Sequence, residues 1–451
     1  MKGDSREIRG WIMYDWANSA FETTVITVLI GPYLTDLAQR DVGRNGTIWT
    51  AGPLGAVTAT SLFPLCISVS VFLQVLVLPV VGALADYTNA RKRLMVTFCY
   101  VGVTATCLLF LVTGRRYLAG GLLLIIANLC FGITIALYNA FLNDIAAEED
   151  RDKVSSHGYA IGYLGGGLLL ALNLALITWA DRLGLSKALA VRLSLLSAGV
   201  WWGGFSIFTF ARLVSRGATR SRSSGRSSLV LGLVQVGATL KLLSRVPQTF
   251  RYLLAYMAFN DGIQTVIAIA SVFLAQELFV AKGRPANESF LVGLILMVQF
   301  VAFFGSLVFE RIAVLIRTKN AILLSLLIWT GVIVYAYAAL ETVAQAWVMG
   351  AVIAVVLGGS QALSRSLFSA MIPEGHEASF FGIYELSERG TSWIGPLLFG
   401  VVVGTTGSYR QAILSLVVLF LLGTALLVLT DTDQAIRDAQ TRAQERSRLS
   451  M

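Results

Sequence analysis

The sequence predicts an all-α integral membrane protein with twelve transmembrane helices in two six-helix halves. Three observations predict it. Apolar residues make up 56% of the 451 residues and charged residues only 14%, with a mean hydropathy of +0.72. Soluble domains carry roughly 25% charged residues, so an apolar surface this large calls for lipid as its solvent. Apolar stretches of about 20 residues, the length that crosses a bilayer, recur along the whole chain. Short stretches on either side of a polar centre also repeat one another.

Taken in order, spans are expected near 13–37, 62–85, 94–113, 119–142, 157–179 and 190–212. The second set is expected near 251–276, 289–310, 320–340, 346–371, 380–403 and 411–430. The first span follows Lys2, Arg6 and Arg9 and carries Asp15 and Glu22. A cleavable signal has an uncharged core, so this stretch is expected to be retained. The Gly- and Thr-rich segment 41–61 reads as the longest outside loop.

Lysine and arginine fix the expected orientation. With the N terminus inside, 24 of the 35 basic residues fall on the inner side and 10 on the outer side, and Arg389 lies within a span. This bias follows the positive-inside rule and places both termini in the cytoplasm. It also accounts for the net charge of +9 without a nucleic-acid partner. The expected home is the plasma (inner) membrane, or the vacuolar membrane in a fungal cell.

The centre of the chain differs. Residues 212–228 are rich in Arg, Ser and Gly, the composition of a flexible linker. Leu229, Leu233, Val236, Leu240 and Leu243 then follow at helical spacing. About a dozen residues precede Lys241, too few to span, so an interfacial amphipathic helix is expected. The chain thus divides into a six-helix half (1–212), a basic linker (213–250), a second half (251–430) and a polar tail (431–451). Gly82 and Gly305, before similar loops, are offset by 223; His157-Gly158-Tyr159 and Phe381-Gly382-Ile383 are offset by 224. Parallel duplicated halves are one known transporter plan.

Two motifs carry the chemistry. The first is Gly82-x-x-x-Asp86 followed by Arg91-Lys92-Arg93. Glycine permits close backbone approach, and Asp86 at a helix end can pair with a basic residue or cap a neighbouring helix. A pair of that kind locks one conformation and breaks in the other. The second motif is Trp11 through Thr24. Asp15 and Glu22 lie almost two turns apart, so they share a face with Asn18 between them. A lipid-facing carboxylate costs on the order of 3 kcal/mol, so this face is expected to point inward. Glu22, near mid-membrane, is the carboxylate expected to couple a proton.

Gly82 to Arg93 closely resembles the signature of the major facilitator superfamily, with Asn89-Ala90 in place of its glycine. Tyr14-Asp15-Trp16-Ala17-Asn18-Ser19-Ala20-Phe21 resembles the vacuole effluxer-like branch. The stretches Tyr138–Leu142, Gly162–Gly167, Tyr256–Thr265, Gly358–Ser366 and Phe380–Gly382 extend the match from the first span to the eleventh. The resemblance implies the major facilitator fold and transport. Its fungal autophagy-related members export amino acids from the vacuole.

The same stretches place polar groups inside helices. Gly158, Gly162 and Gly166 form a small-residue packing stripe. Asn260, Asp261 and Gln264 share a face of the seventh span, and Gln361 and Arg365 lie four apart in the tenth. Glu385 and Arg389 are spaced for an ion pair, and Glu388 has no oppositely charged residue at that spacing. These residues, with Asn139, are the expected substrate and ion pathway, and Arg365 is a candidate to hold a carboxylate bidentately.

Other chemistries are excluded by motif. No GxxxxGK[ST] loop, HExxH helix or nucleophile motif occurs, so neither an enzyme nor a cofactor is expected. Cys66, Cys99, Cys107 and Cys130 form no CxxC and the two histidines lie apart, so no metal is expected. A small solute, with H+ or Na+ as its coupling ion, and the bilayer are the expected partners. The sequence leaves oligomeric state open, with a monomer the simpler expectation. A non-transporting sensor or assembly protein, and a lipid flippase or scramblase, are the alternatives on the same fold.

Overall fold

A computed structural model describes residues 3–43, 46–50, 56–88, 90–214, 237, 239, 241–285, 287–389 and 394–449. Among these, ten helices are long and apolar enough to cross a membrane. They are Leu62–Tyr87, Arg91–Leu111, Gly114–Ile145, Glu148–Thr178, Lys187–Arg212, Pro247–Lys282, Ser289–Ile316, Thr318–Ala338, Val343–Ala370 and Tyr409–Leu429. Two further helical runs occupy the places of the first and eleventh spans. The first runs from Ser5–Ala20 through Phe21–Leu29 into Ile30–Val42; its acidic residues lower its hydropathy. The eleventh is described in two pieces, Glu377–Arg389 and Ile394–Thr406.

Local sequence explains the irregular first span. Asp4 caps it through Arg6 N at 2.8 Å. Phe21–Leu29 is π-helical, with Thr27 Oγ1 donating to Glu22 O five residues back at 2.9 Å. Pro32 follows and has no N–H to return into this turn. Such widened turns concentrate at functional sites.

Three local expectations change. The segment expected to be an outside loop, 41–61, holds a short antiparallel strand pair, Thr47–Thr50 against Ala56–Thr58, with Trp49 opposite Val57; its β-branched residues suit strands. Arg91, Lys92 and Arg93 lie in the first turn of the third helix rather than in a loop. The polar tail forms a helix, Thr432–Leu449. Most of the expected interfacial helix lies outside the described residues.

One end of the bundle, the basic end, gathers both termini. Gly3 N donates to Ile145 O at 2.8 Å, and Glu7 accepts from Val214 N at 3.1 Å. The tail helix buries Ala435 and Ala439. Gln434 meets Gln248 at 3.2 Å, and Gln440 donates to Glu148 at 3.0 Å. The tail therefore runs from the second set of six helices onto the first.

Polar links between the two sets gather toward this end. Thr318 Oγ1 donates to Asp152 at 2.5 Å, and Asn143 Nδ2 donates to Ser369 O at 2.9 Å. At the opposite end, the polar contacts among the described residues stay within one set. Tyr33 donates to Val112 O at 2.6 Å; Arg410 pairs with Glu277 at 2.8 Å and donates to Leu340 O.

Candidate functional site

The candidate gate, a cluster at the basic end, is built around Asp86. Its carboxylate accepts from Ala378 N at 2.9 Å and Ser379 N at 2.7 Å, and so caps the eleventh helix from the second. A negative charge at a helix N-terminus is favourable. Asp86 also accepts from Arg91 Nη2 at 3.0 Å. Gly82 makes the approach possible, since a methyl group there would collide with the Ala378 carbonyl. Arg91 further reaches Asp144 at 2.8 Å and Glu377 at 3.1 Å. Lys92 Nζ donates to Leu213 O at 2.6 Å and so closes the end of the sixth helix. Arg93 is exposed.

Deeper in the bundle, Arg365 of the tenth span is 2% exposed. A guanidinium has five N–H donors, and all five are engaged. Nε donates to Ser155 Oγ at 2.9 Å. Nη1 donates to Asp15 Oδ2 and Asn139 Oδ1, each at 3.3 Å. Nη2 donates to Asp15 Oδ2 at 3.3 Å and Ser155 O at 2.9 Å. The rings of Tyr159 and Trp11 lie 4.2 Å and 4.7 Å from the guanidinium carbon. Every one of these partners belongs to the first, fourth or fifth span. Tyr138 donates to Asp15 Oδ2 at 2.8 Å, and Asn139 Nδ2 donates to Glu385 at 2.9 Å.

The remaining pathway candidates surround this socket at greater distances. Glu22 is exposed on the π-helical segment and is close enough to Tyr163 for their charges to interact. Tyr163 donates to Gln361 at 2.6 Å, which joins the fifth and tenth spans. Glu388 accepts from Tyr256 at 3.1 Å. Asn18 is buried, and Gln264 is half-buried. Asp261 lies apart from the socket and accepts from Gly395 N at 2.9 Å, which caps the second piece of the eleventh span. The Arg389 side chain, and with it the expected pair with Glu385, lies outside the described residues. Among the described residues no three His, Cys, Asp or Glu side chains gather as a metal site.

Sequence reading missed Ser155, Tyr138 and Tyr159 around Arg365, and Asp144 and Glu377 around Arg91. A signal for the architecture was present. Tyr14, Asn18 and Thr23 recur as Tyr256, Asn260 and Thr265, all offset by 242. The geometry repeats as well. Thr23 Oγ1 donates to Ser19 O and Thr265 Oγ1 to Asp261 O, each at 2.6 Å. Thr23 packs on Gly166 of the fifth span, and Thr265 on Gly395 of the eleventh.

Residues 3–440 match the family model described as vacuole effluxer Atg22 like. The chain belongs to the vacuole effluxer Atg22-like family. An uncharacterized MFS-type transporter, YxiO, of Bacillus subtilis (strain 168) is 28% identical over 95% of each chain. Autophagy-related protein 22-1 of Penicillium rubens (strain ATCC 28089 / DSM 1075 / NRRL 1951 / Wisconsin 54-1255) is 26% identical, over 96% of this chain and 91% of its own. The solved major facilitator transporter FucP, in its outward conformation, superposes with a TM-score of 0.66 at 12% identity, over 94% of this chain and 98% of its own. This Atg22-like chain is therefore a multi-pass membrane transporter with the major facilitator fold, and not an enzyme.

Proposed function

We propose that this Atg22-like protein is a secondary active transporter that moves a small polar solute by alternating access. The halves are 1–212 and 251–430, joined by the basic linker 213–250, and 431–451 is the cytoplasmic tail. The observation that carries the reading is the distribution of cross-links between the halves. Asp86, Arg91 and Arg365 tie them together toward the basic end, while the polar contacts among the described residues at the opposite end stay within one half. Buried charges spent on a contact between halves suit a joint that must open; a static scaffold gains more from apolar packing.

The solute is an amino acid or a related metabolite, in keeping with the resemblance to the amino-acid-exporting fungal members of the family. It is driven by an H+ or Na+ gradient. The membrane is the plasma (inner) membrane, with both termini in the cytoplasm. The pathway is lined by Glu22, Asn18, Gln264, Gln361 and Glu388.

The test locks the gate. With the four native cysteines replaced, Asp152→Cys and Thr318→Cys are joined across the basic end by a short cleavable thiol reagent in proteoliposomes. Amino-acid counterflow is expected to stop on cross-linking and to return on reduction. Counterflow that continues through the locked protein would remove alternating access from this reading.

A further inference from the structure

Arg365 sits in a socket furnished wholly by the opposite half. Its donors end on Asp15, Asn139 and Ser155, and its faces on Trp11 and Tyr159. Opening the basic end by moving the halves apart withdraws Arg365 from Asp15. Both charges then lie inside the membrane without the counter-charge that made them tolerable. A charge left unpaired inside a membrane is costly. A replacement partner for each removes that cost.

The groups around Asp15 decide what the replacements are. Tyr138 of the fourth span donates to it. Tyr159 and Tyr163 of the fifth lie within reach of its charge. Glu385 of the eleventh is joined through Asn139. Arg212 of the sixth packs on Gly10, more than a turn away. Apart from Arg365 and the more distant Arg212, these neighbours offer hydroxyls and a further carboxylate. The smallest cation that neutralises a carboxylate in such a site is a proton. Arg365 presents its two terminal nitrogens together to one carboxylate oxygen, between flat rings. Its fork fits a second carboxylate in the same way.

We propose that Asp15 and Arg365 form an exchange site. In the state open at the basic end, Asp15 carries a proton and Arg365 holds the carboxylate of the solute. One proton and one carboxylate therefore enter and leave together. The charges balance: Asp15 becomes neutral, Arg365 keeps its charge and exchanges one carboxylate for another, so the site with its bound solute carboxylate carries the same charge as the closed pair. The one bond made is the O–H of Asp15; its proton comes from water at the open end and is given back to water when the contact with Arg365 re-forms. This assignment rests on the alternating-access reading and adds to it the coupling residue and the solute class.

The experiment uses purified full-length protein with its native cysteines replaced and spin labels at Glu149→Cys and Arg311→Cys. Both positions are exposed at the basic end, one in each half. Mild acid with sodium acetate is expected to shift the pair toward longer distances, by about tenfold in the open-to-closed ratio. Acetamide, which lacks the charge, leaves it unchanged. Asp15→Asn is expected to favour the long distance at neutral pH and to lose the response to acid; Asp15→Glu keeps the response and controls for folding. Arg365→Gln loses the response to acetate. If acid and acetate leave the wild-type distances unchanged while Asp86→Asn lengthens them, the exchange site falls and alternating access stands. If Asp86→Asn also leaves the end closed, alternating access falls too. A response to inorganic phosphate and not to acetate overturns the carboxylate assignment.

Discussion

Gly158 shows how narrowly the Arg365 socket is cut. A methyl group at this position would collide with Asp15 Oδ2 and lie 2.9 Å from Arg365 Nη2. Overpacking of this kind costs typically about 1–3 kcal/mol. Gly158→Ala is therefore expected to weaken the closed state and raise the open fraction by about tenfold or more, read from the Glu149–Arg311 label distances. Unchanged distances would mean that the socket relaxes around the methyl group. Glu22 makes the contrast. Depth along the first helix singled it out as the coupling carboxylate, because a sequence gives distance along a helix directly. Asp15 has the partner that opening removes, and that partner lies 350 residues away. No spacing rule reaches so far. Glu22→Gln is accordingly expected to change apparent solute affinity while pH-gradient-driven accumulation survives in proteoliposomes. Loss of the gradient response in that variant would return the coupling role to Glu22.

Helices differ in how much of their role a sequence displays. The second, eighth and twelfth spans announce themselves by long apolar runs. The tail helix does not. Its residues are polar and charged, and Ala435 and Ala439 read as ordinary helix formers. Their burial depends on the surface they meet. The bonds of Gln434 with Gln248 and of Gln440 with Glu148 run to the helix of the seventh span and to the first half, so the tail bridges the two sets of helices at the basic end. Removing residues 432–451 is expected to leave the spans folded and to raise the open fraction several-fold, measured with the same label pair. An unchanged distribution would reduce the bridge to a surface decoration. The gate was more legible. Asp86 and Gly82 were readable from local motif chemistry, because helix capping and close approach need only a residue type at a helix end. Arg91's partners Asp144 and Glu377 were not, because they come from the fourth and eleventh spans.

At the scale of the whole molecule, duplication explains both what the sequence revealed and what it obscured. Tyr14 and Tyr256 are offset by 242, whereas Gly82 and Gly305 are offset by 223. The offset changes between the first and second spans, where the first half carries its strand pair. A search at one fixed offset therefore finds the second spans or the first spans, and not both. Once aligned, Glu22 and Gln264 fall in the same register, an acid in one half and an amide in the other. The alternating-access proposal calls for a chamber between the halves that is reached from the end opposite the basic one. Gln361, held by Tyr163 across the halves, reports on that chamber. Ser223, in the basic linker, reports on the inner side by the positive-inside argument. In intact cells, an impermeant maleimide is expected to label Gln361→Cys and to spare Ser223→Cys. In inverted vesicles Ser223→Cys labels fully, and Gln361→Cys labels only when Asp86→Asn has opened the basic end. Labelling of Ser223→Cys from outside would reverse the orientation. Protection of Gln361→Cys from both sides in the Asp86→Asn background would deny the chamber its alternating exits.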